Sequence, residues 1–176
     1  MATIDRIDWH WDSAVEATFG ILSDEEFEER EAEIEERENE LFEKAGAHIG
    51  YFLEWAYKNG FAPDNPETHA VEEYQEVANS EITGIRFLIE NCDTKFWDSD
   101  LNEQGQKFAT FAYSQYWRDL EMIYGGPAYI KAYNQQDLER VSQYLDKLYS
   151  EYLLNPPSEQ NPNKKQSFLT KLKKLF

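Results

Sequence analysis

The chain has 176 residues, with 35 acidic against 17 basic side chains, a formal charge of −18, and 15% aromatic residues. That charge repels phosphate backbones and anionic headgroups and argues against direct nucleic-acid binding, while the aromatic content excludes a disordered chain. A lone cysteine, Cys92, excludes an intramolecular disulfide framework and fits a reducing compartment.

The opening residues, with Asp5, Asp8 and Asp12, lack the basic stretch and apolar run of a secretory signal, and no window is apolar enough to span a bilayer. A cytoplasmic protein with one domain over residues 1–154 is expected. Its class is mainly α, a compact domain of about six helices, with short extended segments near the N-terminus and around 128–133.

Residues through Trp9-His10-Trp11 and Phe19-Gly20 show no sustained helical period and read as an irregular or short-stranded lead-in that packs aromatics on the body. Ser23 followed by Glu26 is a capping-box signature, so a helix starts there. From Asp24 to Lys44 the chain has twelve acids and three bases, with only Phe27, Ile34 and Leu41 forming a thin apolar seam. Such a helix is mostly solvated, supported by pairs such as Glu26 with Arg30 and Glu33 with Arg37. Ala45 to Asn59 becomes a core helix, closed by Gly60.

Asn65 and Pro66 predict the start of a helix running to about Ala78. Ser80 reads as the cap of a segment whose Ile82, Ile85, Ile89 and Cys92 share a face, with Gly84 marking a close helix approach. A loop follows over 93–99. Asp100 and Glu103 form a capping signature ahead of a long helix to Tyr124, apolar on most of its circumference through Phe108, Phe111, Ala112, Tyr116 and Trp117. Gly125-Gly126-Pro127 ends it. Asn134 caps the cleanest helix, in which Leu138, Val141, Leu145, Leu148 and Tyr152 recur by three and four. Residues 155–166 read as a linker, and 167–176 as a short basic amphipathic tail. The tail region from 155 carries five lysines against one glutamate, which leaves the body at −22.

Chemistry-bearing motifs are sparse. The three histidines, His10, His48 and His69, have no His or Cys partner at short spacing, so neither a zinc site nor any other metal site or cofactor is expected. Asp98, Asp100 and Asn102 imitate the start of a calcium loop but fail at the glycine and bidentate positions, which Glu103 and Ala109 occupy. There is no nucleophile elbow and no phosphate-cradling loop, and Cys92 ends an apolar face, so no catalytic residue is assigned and the chain reads as a binder rather than an enzyme. His10 and His48, in apolar surroundings, read as core histidines that need hydrogen-bond partners. A deep pocket joining either of them to a carboxylate would be the sign of an enzyme of unrecognised type.

The run Ala47-His48-Ile49-Gly50-Tyr51-Phe52-Leu53-Glu54-Trp55-Ala56 with Asn59-Gly60 resembles a bacterial family, domain of unknown function 7832. Trp9-His10, Phe87-Leu88, Cys92-Asp93, Lys95-Phe96, Asp100-Leu101-Asn102, Gly105, Phe108 and Ala109 extend the resemblance in order over most of residues 9–150. The acidic segment Asp24 to Lys44 departs from it, being longer than the link expected there, as does the lysine-rich tail. The resemblance implies a small cytoplasmic domain without known catalysis.

By analogy with other small acidic domains, the expected function is that of an immunity protein that neutralises a basic toxin domain such as a nuclease. Glu25, Glu29, Glu33 and Glu36 are the candidate partner-binding residues. The alternative is a structural or adaptor module that self-associates or touches a membrane through its tail.

Overall fold

The computed structural model describes residues 2–64 and 71–156. Its elements are β1 (Thr3–Arg6), a 3-10 turn (Ile7–His10), α1 (Trp11–Phe19), α2 (Asp24–Glu36), α3 (Glu38–Lys58), α4 (Val71–Ala78) and α5 (Gly84–Asn91). There follow β2 (Lys95–Trp97), a second 3-10 turn (Asp98–Asp100), α6 (Glu103–Arg118), α7 (Leu120–Tyr124) and α8 (Gln135–Leu154). The domain is therefore mainly α with one short sheet. Asn65 and Pro66, most of the linker and the whole tail lie outside the described residues.

α3 is the axis. Every residue from Lys44 to Tyr57 is buried, because α1, the first 3-10 turn, α4, α5 and α8 pack around it. A helix apolar on all sides can be stable only in such a position. Phe52 sits at the centre, its ring within 5.0–6.3 Å of those of Phe96, Phe108, Tyr113 and Tyr116. The Tyr116 hydroxyl donates to the His48 carbonyl at 2.7 Å and ties α6 to the axis.

Glycines set the closest approach. A Cβ on Gly84 would lie 2.1 Å from the Gly50 carbonyl oxygen, and one on Gly50 would lie 2.4 Å from the Ile85 nitrogen. α3 and α5 thus meet backbone to backbone at the position where Gly84 predicts a close approach. Glu54, buried there, accepts from Gly84 N at 3.3 Å, the Tyr133 hydroxyl at 2.7 Å and Lys58 Nζ at 2.8 Å.

Several boundaries differ from the sequence reading. The lead-in is short-stranded, as read, with β1 pairing antiparallel with β2, but it also holds a helix, α1, after the first turn. The acidic run is not one helix, since at Arg37 the backbone leaves helical values (φ −102°, ψ 13°) while the guanidinium packs over Phe19 and bonds Glu40. The ion pairs are accordingly Arg30 with Glu33 and Arg37 with Glu40, and Glu26 closes the capping box on Ser23. Ser80 is no cap: it adopts φ 61°, and Thr83 caps α5 by accepting from Arg86 N. Asp100 is buried and accepts from Trp97 N at 2.7 Å, while Asn102 caps α6. A break at Asp119 separates α6 from α7. Residues 128–133 form no strand, because Tyr129 is held at φ 65° in the left-handed region. The break at Arg37 replaces the boundary expected after Lys44, and with α1 and the break at Asp119 added, the described residues hold eight helices.

The Asn134 cap is as read: its Oδ1 accepts from Asp137 N at 2.9 Å, and its amide donates to Asp137 Oδ2 at 2.8 Å. Asn134→Ala should cost about 1 kcal/mol in urea denaturation. A change under about 0.3 kcal/mol would show that α8 is held by packing alone.

Candidate functional site

Three elements deliver polar groups to one buried point. β1 carries a register irregularity between Thr3 and Asp5, and an irregularity of that kind re-aims a side chain out of strict alternation. Asp5 points inward and is 4% exposed. The 3-10 turn ends at His10, and α3 brings His48 alongside, the two rings meeting edge to face at 4.5 Å.

Both imidazoles turn Nε2 to the same carboxylate. His10 Nε2 lies 2.7 Å from Asp5 Oδ1, and His48 Nε2 lies 3.1 Å from Asp5 Oδ2. The Tyr113 hydroxyl donates to Oδ2 at 2.8 Å. On the far side of His10, Nδ1 is 2.9 Å from the Tyr129 hydroxyl, which accepts from Trp117 Nε1 at 3.3 Å. The chain Trp117, Tyr129, His10, Asp5 is continuous.

Burial raises the Asp5 pKa, but the hydrogen bonds to His10 and His48 outweigh it and hold the carboxyl well below the usual range. Asp5 is therefore ionised. Burial pushes His48 down, against the pull of Asp5. The hydroxyls of Tyr113 and Tyr116 are driven far up by burial, and so remain protonated donors.

Two cavities flank this cluster and share Tyr129. The larger, about 550 Å³, is lined by Asp5, Trp9, His10, Tyr113, Trp117 and Tyr129 among others and opens to solvent. The smaller, about 210 Å³, lies on the His48 side beneath the 125–131 loop. Tyr129 is a bulky residue in a sparsely populated backbone region, and such strain clusters where a side chain must be held for a purpose. Asp5, His10 and His48 are the residues among those described that could hold a metal ion, their ligand atoms all lying within 4.8 Å of one another.

The sequence-derived candidates lie elsewhere. Glu25, Glu29, Glu33 and Glu36 are all exposed on α2, and at about 100° per residue they share a stripe opposite Ile34, the one residue of α2 that is buried. Phe27, 40% exposed, lies on the Ile34 side of the helix, away from the stripe. Both arginines of this region, Arg30 and Arg37, turn toward the Phe19 ring at 5.7 and 5.1 Å. The two histidines are core residues with hydrogen-bond partners, as read, but they share one partner. Asp5 was missed because a strand acid five residues before one histidine and 43 before the other forms no motif. Cys92 is buried, and burial drives its thiol far up, away from the reactive thiolate.

Among the described residues no helix is long and apolar enough to cross a membrane. The sequence profile of a family described as domain of unknown function (DUF7832) matches residues 3–153. No curated protein and no solved structure matches the chain.

Proposed function

The chain belongs to the DUF7832 family of unknown function, and from that premise we propose that it is a non-catalytic, immunity-type binding protein whose acidic face covers a basic partner. The partner class is a toxin domain, such as a nuclease, whose cationic cleft would otherwise hold substrate phosphates. One observation carries this reading: α2 has nine acids and one base over Asp24–Glu36, and its glutamate stripe faces solvent while the neighbouring arginines fold back onto α1. Concentrated charge of one sign raises association rates with a complementary surface.

Co-purification of the full chain from its native host, followed by binding kinetics with the captured partner, tests this. Replacing Glu25, Glu29, Glu33 and Glu36 together by Gln should lower the association rate about tenfold or more and flatten its salt dependence. Stability should change little, because these side chains are exposed. Unchanged rate and salt dependence would remove the acidic stripe from the interface.

A second reading is favoured by the cluster itself. His10 and His48 meet a carboxylate at the wall of a 550 Å³ cavity, the arrangement that marks an acid–base site. Asp5 would orient His10, and His10 Nδ1 would exchange a proton with the Tyr129 hydroxyl at 2.9 Å.

A further inference from the structure

We propose that Asp5, His10 and His48 form a binding site for one divalent first-row metal ion of the zinc class, with a free coordination position facing the aromatic cavity. This goes beyond the docking reading and is independent of it. It also gives the second reading a specific chemistry.

The orientation of the rings carries the inference. Two imidazoles on different elements present the same nitrogen, Nε2, to one carboxylate, and His10 has an oxygen partner for its remaining side, the Tyr129 hydroxyl. Metal-bound histidines are held in this way, the outer nitrogen donating its proton to a carbonyl or other oxygen so that the inner lone pair is free. The ligand atoms of Asp5, His10 and His48 all lie within 4.8 Å of one another, and all three residues are buried. A metal ion set among them takes the place of the Nε2 protons and shares the Asp5 charge.

The donor set and its geometry agree. Two imidazole nitrogens and a carboxylate suit zinc, cobalt or ferrous iron, whereas calcium and magnesium favour oxygen ligands. Ligands about 2.0–2.2 Å from a tetrahedral ion stand roughly 3.3 Å apart. The Asp5 to His10 and Asp5 to His48 separations, 2.7 and 3.1 Å, need to open by about 0.6 and 0.2 Å. The Tyr113 hydroxyl at 2.8 Å from Oδ2 holds the carboxylate from behind. Asp5 and His10 line the open cavity, so the site has an entry path and room for a bound water.

The full chain, stripped with chelator, is titrated with Zn2+ by calorimetry and with Co2+ by visible absorption. One equivalent should bind, with cobalt bands showing nitrogen and oxygen ligands at a low coordination number. His10→Gln and His48→Gln should each weaken binding at least about 100-fold, and Tyr129→Phe about tenfold, the usual cost of losing an outer partner. Replacing the four glutamates of the α2 stripe by Gln should leave the site unchanged, which separates it from loose binding by the acidic surface.

Nitrogen-15 spectra of the unmodified chain supply a readout that survives if a variant fails to fold. On adding Zn2+, two of the three histidine rings should move their proton to Nδ1 and shift at Nε2. No saturable equivalent with either ion overturns the site, as does binding that persists in both histidine variants or spectra in which no ring changes its protonated nitrogen. Because no partner protein is involved, failure here leaves the docking reading standing, and failure of docking leaves this site standing.

Discussion

Asp5→Ala, with chelator in the buffer, should destabilise the chain by about 3–5 kcal/mol, the cost of breaking a buried charged network by removing one member. The carboxylate is 4% exposed and is shared by His10 Nε2, His48 Nε2 and the Tyr113 hydroxyl. An alanine leaves all three without that acceptor in a place where each unsatisfied group alone costs about 1–3 kcal/mol. Those costs do not simply add, since one water admitted from the adjoining cavity can serve more than one donor.

Asp8→Ala is the control. Asp8 stands three residues away with its side chain 50% exposed, paired to Arg6 at 2.6 Å, and its loss should stay within about 0.5 kcal/mol. Urea denaturation of the two variants should therefore differ by several fold in effect. If Asp5→Ala costs under about 1 kcal/mol, the cluster is not holding β1 and the first turn onto α3.

What was legible before the structure followed from local physics. Asn134 with Asp137, Ser23 with Glu26 and the left-handed Gly125 stop signal their helix ends within a few residues, and all three appear as read. The recurrence of Leu138, Val141, Leu145 and Leu148 places α8 for the same reason. Where two acceptable caps stand close together, local chemistry does not choose. Thr83 displaces Ser80 and Asn102 displaces Asp100, because the rejected residues are taken by a left-handed turn and by the Trp97 amide. The kink at Arg37 depends on Phe19, eighteen residues away, and no window of helical period contains that contact.

The site was less legible than the fold. His10 and His48 could each be marked as a buried imidazole in need of a partner, since their neighbours in sequence are apolar. That the partner is the same carboxylate depends on β1 pairing with β2, on the irregularity that turns Asp5 inward, and on a tyrosine from α6 closing the back. The acidic stripe was visible in full, because exposure on a helix follows directly from period. Charge density therefore pointed to α2, while the group of residues with chemical potential lay in the lead-in that showed no regular pattern.

Gly50→Ala and Gly84→Ala should each cost about 3 kcal/mol or more, against an intrinsic helix preference that favours alanine by only about 1 kcal/mol. The overlap decides the sign. The new Cβ at Gly84 falls 2.1 Å from the Gly50 oxygen, and that at Gly50 falls 2.4 and 2.7 Å from Ile85 N and Cα. These neighbours are backbone atoms in helices, with no rotamer to yield, so α5 must move away from α3. That movement draws Ile85, Phe87 and Leu88 from the core and stretches the 3.3 Å bond from Gly84 N to the buried Glu54. Gly46→Ala should cost less, because its Cβ meets the flexible ends of Ile7 and Ile85 at 2.6 Å, and Gly126→Ala should be near neutral, with nothing within 4 Å. Thermal denaturation should therefore rank Gly50 and Gly84 as the most damaging, then Gly46, then Gly126. A Gly50→Ala protein as stable as the parent would mean that α3 and α5 do not meet at backbone distance, and with it the burial of Glu54 between them would fall.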